Sequence, residues 1–177
     1  MASAALALDT SGSFCSVALA LADGSVVERA SSGEGDHFER LPSLVDEALG
    51  TGGIIASGIG CMVVGVGPGS FTGLRIGLSY AKGLATALRV PLQGVSSFDA
   101  LAVVALADHP QASGVVVVSD ARREEVFIAA YERQAGSAVG KRVAGPEIVP
   151  VSSLGGAQWD APGRVWCSPL RDFSLPG

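Results

Sequence analysis

The sequence has 177 residues, of which 48% are hydrophobic and 16% are charged, and its formal net charge is −5. A high apolar content with a small net charge excludes a largely disordered chain and predicts one globular domain or two small lobes. The acidic balance, without any run of lysine or arginine, argues against a protein that binds nucleic acid unaided, because phosphate contacts need a concentrated basic face.

The first thirty residues predict three strands joined by turns. Asp9 ends the first apolar run, and Asp23-Gly24 is a strong hairpin signal between the second and third runs. The predicted strands are 4–8, 14–21 and about 25–30.

The next stretch alternates helices and strands. Apolar residues at spacings of three and four predict an amphipathic helix over 38–49, in which Pro42 is expected to delay or kink the first turn. After it we predict strand 61–66, helix 72–88, strand 91–95 and helix 97–107. This alternation predicts an α/β fold with a mixed sheet.

The opening pattern recurs in the second half of the chain. An apolar run at 115–118 leads to Asp120, and a polar turn and two further strands follow at 125–131 and 138–143. Asp9 and Asp120 therefore hold equivalent places in an internal duplication. We predict an N-terminal lobe at 1–109 and a partial C-terminal lobe at 110–177 that ends in short strands near Ile148 and Val165.

Two small-residue loops are candidates for binding phosphate. Such turns can direct backbone N–H groups at an anion, and an acidic residue can position a metal or a water. The structural alternatives are a surface hairpin for the first loop and a helix-capping loop for the second, which lacks the Gly-Lys-Ser/Thr ending of a P-loop. The candidate nucleotide-binding residues are Asp9, Thr10, Ser11, Gly67, Gly69 and Ser70.

The two long helices carry apolar stripes with two possible uses. Gly73, Gly77 and Ala81 recur every four residues and form a small-residue groove that permits close approach of another element. The stripes pack either into the protein's own core or against a partner, and the sequence leaves both alternatives open.

No catalytic or metal-binding constellation is visible in the sequence. Ser79 and Lys82 match a Ser-x-x-Lys pattern without its companion motifs, and His37 and His109 share no obvious site. The three cysteines are far apart and form no Cys-x-x-Cys pair. The N-terminus has no basic region before its apolar residues and no apolar run reaches about 20 residues, so we expect a cytoplasmic protein.

Five segments together resemble the TsaB (YeaZ) family, and the string Gly-Pro-Gly-Ser-Phe-Thr-Gly-x-Arg-Ile-Gly is highly specific. The resemblance extends from residue 4 to about residue 131, whereas family members usually continue well beyond 177 residues. The segments are 7–10, 65–77, 81–85, 94–97 and 120–122.

The resemblance implies an actin-like fold (the superfold of actin, sugar kinases and ribonuclease H) with duplicated lobes, the second of them shortened. It implies a scaffold role in forming threonylcarbamoyladenosine in tRNAs that read codons beginning with A. The implied partners are the catalytic paralogue TsaD and the ATPase TsaE, or a second copy when the paralogue is missing; tRNA is contacted only indirectly. ATP is then used by the complex, and no cofactor is assigned to this chain.

In the family that the chain resembles, the two equivalent helices form the face shared with the paralogue or with a second copy. The resemblance therefore gives the apolar stripes a candidate role as a partner interface. The implied partner-interface residues are Phe38, Leu41, Leu44, Val45, Gly73, Leu74, Gly77, Leu78, Ala81 and Lys82. At the places where the paralogue resembles this chain but carries a His-x-x-x-His metal pair, Ser97 and Leu101 stand here, so we expect no catalytic activity. The competing hypothesis is an actin-like ATPase that acts alone.

Overall fold

The computed structural model describes residues 3–31, 37–155 and 159–168, which divide into two compact units at Ser96/Ser97. The sequence placed this boundary between residues 109 and 110. The difference is the helix α3 (Ser97–Asp108), which belongs to the second unit. Its buried Phe98 and Leu106 pack against Val115 and Tyr131 of that unit, so burial decides the boundary.

The first unit is a five-stranded mixed sheet with two helices. Strands β1, β2 and β3 pair antiparallel, whereas β4 and β5 continue the sheet parallel to β1, in the order β3-β2-β1-β4-β5. The strands are β1 (Ala4–Asp9), β2 (Ser16–Ala20), β3 (Val26–Ala30), β4 (Ile59–Gly65) and β5 (Leu92–Val95). The helices are α1 (His37–Thr51) and α2 (Phe71–Leu88).

One core joins this sheet to both helices. In β1, Leu6 and Leu8 alternate with less buried neighbours, as expected of a strand with one face on the core. They share a cluster with Leu44 of α1 and Ala85 of α2. Helix α1 begins at His37, ahead of Pro42, so the predicted delay of its start is wrong.

The second unit repeats the strand order of the first. Its sheet has the order β8-β7-β6-β9, with β6–β7 and β7–β8 antiparallel and β6–β9 parallel. The strands are β6 (Gly114–Arg122), β7 (Glu125–Gln134), β8 (Ser137–Pro150) and β9 (Arg164–Cys167). This order matches β3-β2-β1-β4 and confirms the duplication, while the strand predicted separately near Ile148 is the end of β8.

Strand β6 is buried on both of its faces. Val115 and Val117 contact the α3 side, whereas Val116 and Val118 contact a second cluster that contains Trp159. This explains why the strand reads as an unbroken apolar run rather than as an alternating pattern.

Candidate functional site

The turn that follows β1 is fixed by the side chain of Asp9. The backbone N–H of Ser11 donates to Asp9 Oδ1 over 2.6 Å, and the Ser11 hydroxyl donates to the same oxygen. Thr10 and Ser11 are polar but only 3% and 8% exposed. Buried polar groups of this kind need partners, and the start of α2 supplies several of them.

Helix α2 and its preceding loop are hydrogen-bonded directly to this turn. Thr10 Oγ1 donates to the carbonyl oxygen of Gly73 over 2.8 Å, and the Ser70 N–H donates to the carbonyl oxygen of Ser11 over 2.7 Å. Ser70 also caps the helix, because its hydroxyl oxygen accepts from the Gly73 N–H at 3.2 Å.

The glycine spacing of the specific string follows from this contact. A Cβ on Gly69 would collide with the carbonyl oxygen of Ser11, and a Cβ on Gly73 would collide with that of Thr10. A Cβ on Gly77 would collide with Thr10 Oγ1. These three positions therefore require glycine so that the turn can approach the helix closely.

Five of the six candidate nucleotide-binding residues, all except Gly67, are brought together at this contact. Several of their donors are already engaged within the chain, namely Thr10 Oγ1, both donors of Ser11 and the N–H of Ser70. Nucleotide binding there stays a prediction. The internal hydrogen bonds favour a structural loop over a phosphate-binding loop.

Cys15 is buried at the end of the connection between β1 and β2. Burial raises the pKa of its thiol to about 11, and the negative charge of Asp9 contributes in the same direction. A thiol of this kind stays neutral and behaves as a small apolar residue.

The equivalent turn of the second unit has a different form. Asp120 Oδ1 accepts the N–H of Arg122 over 2.7 Å, which reproduces the local bond of Asp9. However, Arg122 pairs with Glu125, so only Arg123 and Glu124 connect β6 to β7, whereas residues 10–15 connect β1 to β2. The duplication therefore does not extend to a second loop of the same length.

Most of the predicted interface residues are internal. Leu41, Leu44, Val45 and Ala81 are at most 3% exposed and belong to the first core, and Gly73 and Gly77 are closed by Thr10. Helices α1 and α2 use these positions to cover the sheet, and their assignment to a partner interface stays a prediction. The Phe38 side chain lies outside the described part of the structure.

The remaining predicted interface residues are more accessible. Leu74 and Leu78 are half-buried, and Leu78 packs against the core. Lys82 is exposed. Among the predicted positions whose side chains are described, Lys82 is therefore the clearest candidate for a surface contact.

Helix α2 exposes a different set of residues, which we call the α2 ridge. Its members are Phe71, Arg75, Ser79, Lys82 and Thr86. Phe71 is 74% exposed, and the Arg75 guanidinium lies 5.4 Å from the centroid of its ring, within cation–π range. Helix α2 contains two cations and no acidic residue. The signal was present in the sequence, since these positions recur every three or four residues opposite the glycine groove.

Helix α1 lies beside α2 and has the opposite charge character. Glu39, Asp46 and Glu47 are exposed on it. Glu47 Oε2 is 3.9 Å from Arg29 Nε, and Glu47 Oε1 is 4.0 Å from Arg40 Nη2. Both ion pairs are weak because solvent screens them. Burial raises the pKa of Tyr80 on α2, and the charge of Asp46 adds to the shift.

The residues considered for chemistry form no ligand cluster among the side chains that the structure describes, and the His37 side chain lies outside them. Among residues 3–31, 37–155 and 159–168, no group of three His, Cys, Asp or Glu side chains could hold a metal ion. Ser97 is buried at the start of α3, and Leu101 packs against the core of the second unit. Across the same ranges, no helix has the length and apolar character needed to span a membrane.

Comparison with known proteins identifies the family. The model of the family described as "TsaD: tRNA N6-adenosine threonylcarbamoyltransferase" matches residues 28–164. The solved structure of YeaZ from Pseudomonas aeruginosa superposes with a TM-score of 0.79 and 30% identity, covering 96% of this chain and 85% of that one. This chain belongs to the TsaB (YeaZ) family. Its mixed sheets flanked by helices are the actin-like α/β fold that the resemblance implied.

Several bacterial relatives carry the TsaB name in full. The "tRNA threonylcarbamoyladenosine biosynthesis protein TsaB" of Haemophilus influenzae is 38% identical over 129 residues, 73% of this chain and 54% of the relative. The Escherichia coli protein of the same name is 39% identical over 128 residues, 72% of this chain and 54% of the relative. The chain thus spans about half the length of these TsaB relatives.

Proposed function

We propose that this TsaB-family chain takes part in forming threonylcarbamoyladenosine in tRNA as a non-catalytic scaffold. It binds a TsaD-like catalytic subunit, and a TsaE-like ATPase assembles with the pair. The names of the TsaB relatives and the match to the TsaD family model support this pathway and this partner. Ser97 and Leu101, which stand where the resemblance places the paralogue's histidine pair, support the scaffold role because neither is a good metal ligand.

The α2 ridge is the docking face in this proposal, and it is the observation that carries it. An exposed aromatic ring beneath a guanidinium is an anchor of the kind that dominates protein interfaces. The ridge has no acidic residue, so it suits a partner surface that presents carboxylates. When the catalytic subunit is missing, the acidic side of α1 on a second copy offers the same complement, which accounts for the homodimer that the resemblance implies.

The test is association with the cognate catalytic subunit, followed by threonylcarbamoyl transfer with and without this chain. Lys82→Glu and Arg75→Glu reverse charges on the ridge and are expected to weaken association at least tenfold together. Lys141→Glu is the matched control, because it makes the same change at an exposed position of β8. Substitution of Leu78 by aspartate is a poorer probe, since Leu78 packs against the core and the variant would unfold.

Three outcomes would contradict the proposal. The first is unchanged binding by the Arg75→Glu/Lys82→Glu variant, which would remove the ridge from the interface. The second is transfer that needs no contribution from this chain. The third is transfer by this chain alone, which would make it the enzyme.

The competing ATPase hypothesis has its own test. Purified chain that hydrolyses ATP without partners, and loses the activity on Asp9→Asn substitution, would support it. The internal bonding of Thr10, Ser11 and Ser70 weighs against this outcome, because those donors would have to leave their present partners to reach a phosphate.

A further inference from the structure

The tip of the β6–β7 hairpin has an unusual backbone. Arg122, Arg123 and Glu124 have φ angles of +73°, +55° and +61°, so three successive side-chain-bearing residues are left-handed. Residues other than glycine are disfavoured in the left-handed region of positive φ. Two-residue hairpin turns that need positive φ at both positions strongly prefer Asn-Gly. The chain therefore keeps charged residues at a position where a neutral dipeptide would be more stable.

The tip is held in place by bonds at both sides. Asp120 Oδ1 accepts the Arg122 N–H over 2.7 Å, and the carbonyl oxygen of Glu124 accepts the Val151 N–H over 2.9 Å. These bonds fix the backbone at both ends of the turn, so the side chains project from a defined position.

The charges at the tip are available for a partner. The Arg122 side chain is 84% exposed, and its Nε is 3.8 Å from Asp120 Oδ2, a weak solvent-screened pair. Arg123, Glu124 and Glu125 are also exposed. Within the described ranges, Arg123 has no ion-pair partner.

We infer that this hairpin tip (Arg122, Arg123, Glu124 and Glu125) is a second docking point for the catalytic subunit, whose surface presents carboxylates to the arginines. The inference rests on the proposed function. Backbone strain at residues other than glycine is characteristic of functional sites. A strained turn lowers stability, and a gain in binding is what offsets that loss. Guanidinium groups recognise carboxylates through paired, directional hydrogen bonds, so a fixed backbone makes the contact selective.

The mixed charge of the tip favours a protein over RNA as the occupant. An RNA backbone offers only negative charge, which Glu124 and Glu125 would repel, and the whole chain carries a net charge of −5. A protein surface can place acids opposite the arginines and a base opposite the glutamates.

The decisive variant replaces the central dipeptide by Asn-Gly, as Arg123→Asn with Glu124→Gly. We expect its Tm to rise by several degrees while its affinity for the catalytic subunit falls at least tenfold. A purely structural turn would give the first effect without the second. Ala135→Asn is the control, because it creates Asn-Gly in the neighbouring β7–β8 turn and is expected to leave affinity unchanged.

A second pair of variants tests charge without altering the turn. Arg122→Glu with Arg123→Glu is expected to lower affinity further, whereas Arg122→Lys with Arg123→Lys should keep part of it. Unchanged affinity of the Glu variant, an Asn-Gly variant that is no more stable, or a loss confined to tRNA binding would each overturn the inference. If the unaltered chain does not bind the catalytic subunit, the proposed function fails as well, so the two failures are distinguishable.

Discussion

Thr10 and Gly77 contact each other so closely that a methyl group on Gly77 would overlap the hydroxyl oxygen of Thr10. The same hydroxyl donates to the carbonyl oxygen of Gly73. One side chain in the β1–β2 connection thus occupies the groove formed by two glycines of α2. A stripe that the sequence left open between the protein's own core and a partner is occupied by Thr10 within the first unit, and this contact makes the strand and the helix depend on each other.

Gly77→Ala is expected to destabilise the protein by up to about 2 kcal/mol. Helix propensity alone would favour alanine by about 1 kcal/mol, but the added methyl group must displace Thr10. Gly83→Ala is the matched control on the same helix, because a Cβ there meets nothing within 4 Å, and it should stabilise by up to about 1 kcal/mol. Urea unfolding measures both values, and equal effects of the two substitutions would contradict the packing argument.

Thr10→Val is expected to cost about 1–3 kcal/mol of unfolding free energy. Valine has a similar shape but cannot donate to the Gly73 carbonyl oxygen, which would be left buried without that bond. Thr10→Ser retains the hydroxyl and loses a methyl group, so comparing the two by denaturant unfolding separates hydrogen bonding from packing. A valine variant as stable as the unaltered protein would show that the hydrogen bond contributes nothing.

Stability should fall in strongly alkaline solution, above pH 9, because of Cys15. Its pKa is raised from about 9 to about 11, so the folded state favours the neutral thiol. The resulting stabilisation is complete below pH 9 and is lost as the pH rises through 11, at no more than about 1.4 kcal/mol per pH unit for one group. Unfolding free energies measured from pH 8 to 11 should show a flatter dependence for Cys15→Ala. Parallel curves for the two proteins would refute this assignment.

Tyr131→Phe is expected to destabilise the second unit by about 1.5–3 kcal/mol. The Tyr131 side chain is fully buried, and its hydroxyl donates to Asp99 Oδ1 over 2.7 Å, which joins β7 to α3. Burial and this bond both raise the pKa of Tyr131, in keeping with a neutral donor. Tyr80→Phe, at a half-buried position of α2, serves as the comparison in thermal unfolding and should change Tm much less. Equal shifts would show that the bond to Asp99 contributes nothing.

The sequence determined the elements because their signals are local. Alternation in β1, the spacing of three and four in α1 and α2, and the Asp23-Gly24 turn each depend on neighbouring residues, so the strands and helices of the first unit were predicted within a few positions. The recurrence of Asp9 as Asp120 also revealed the duplication, since each carboxylate ends an apolar strand and accepts the N–H of the residue two positions later. Family membership could be predicted from the glycine-rich string for the same reason.

The tertiary structure alone decided which faces are buried and what each glycine contacts. Leu41, Leu44 and Ala81 look the same in sequence whether they face a sheet or a partner, and only the packing of α1 and α2 onto the first sheet shows where they lie. The domain boundary moved to Ser96 because α3 covers β6, a contact between distant segments. Periodicity specifies that a helix has an apolar face, but the identity of the surface that covers it depends on long-range packing, which no local pattern encodes.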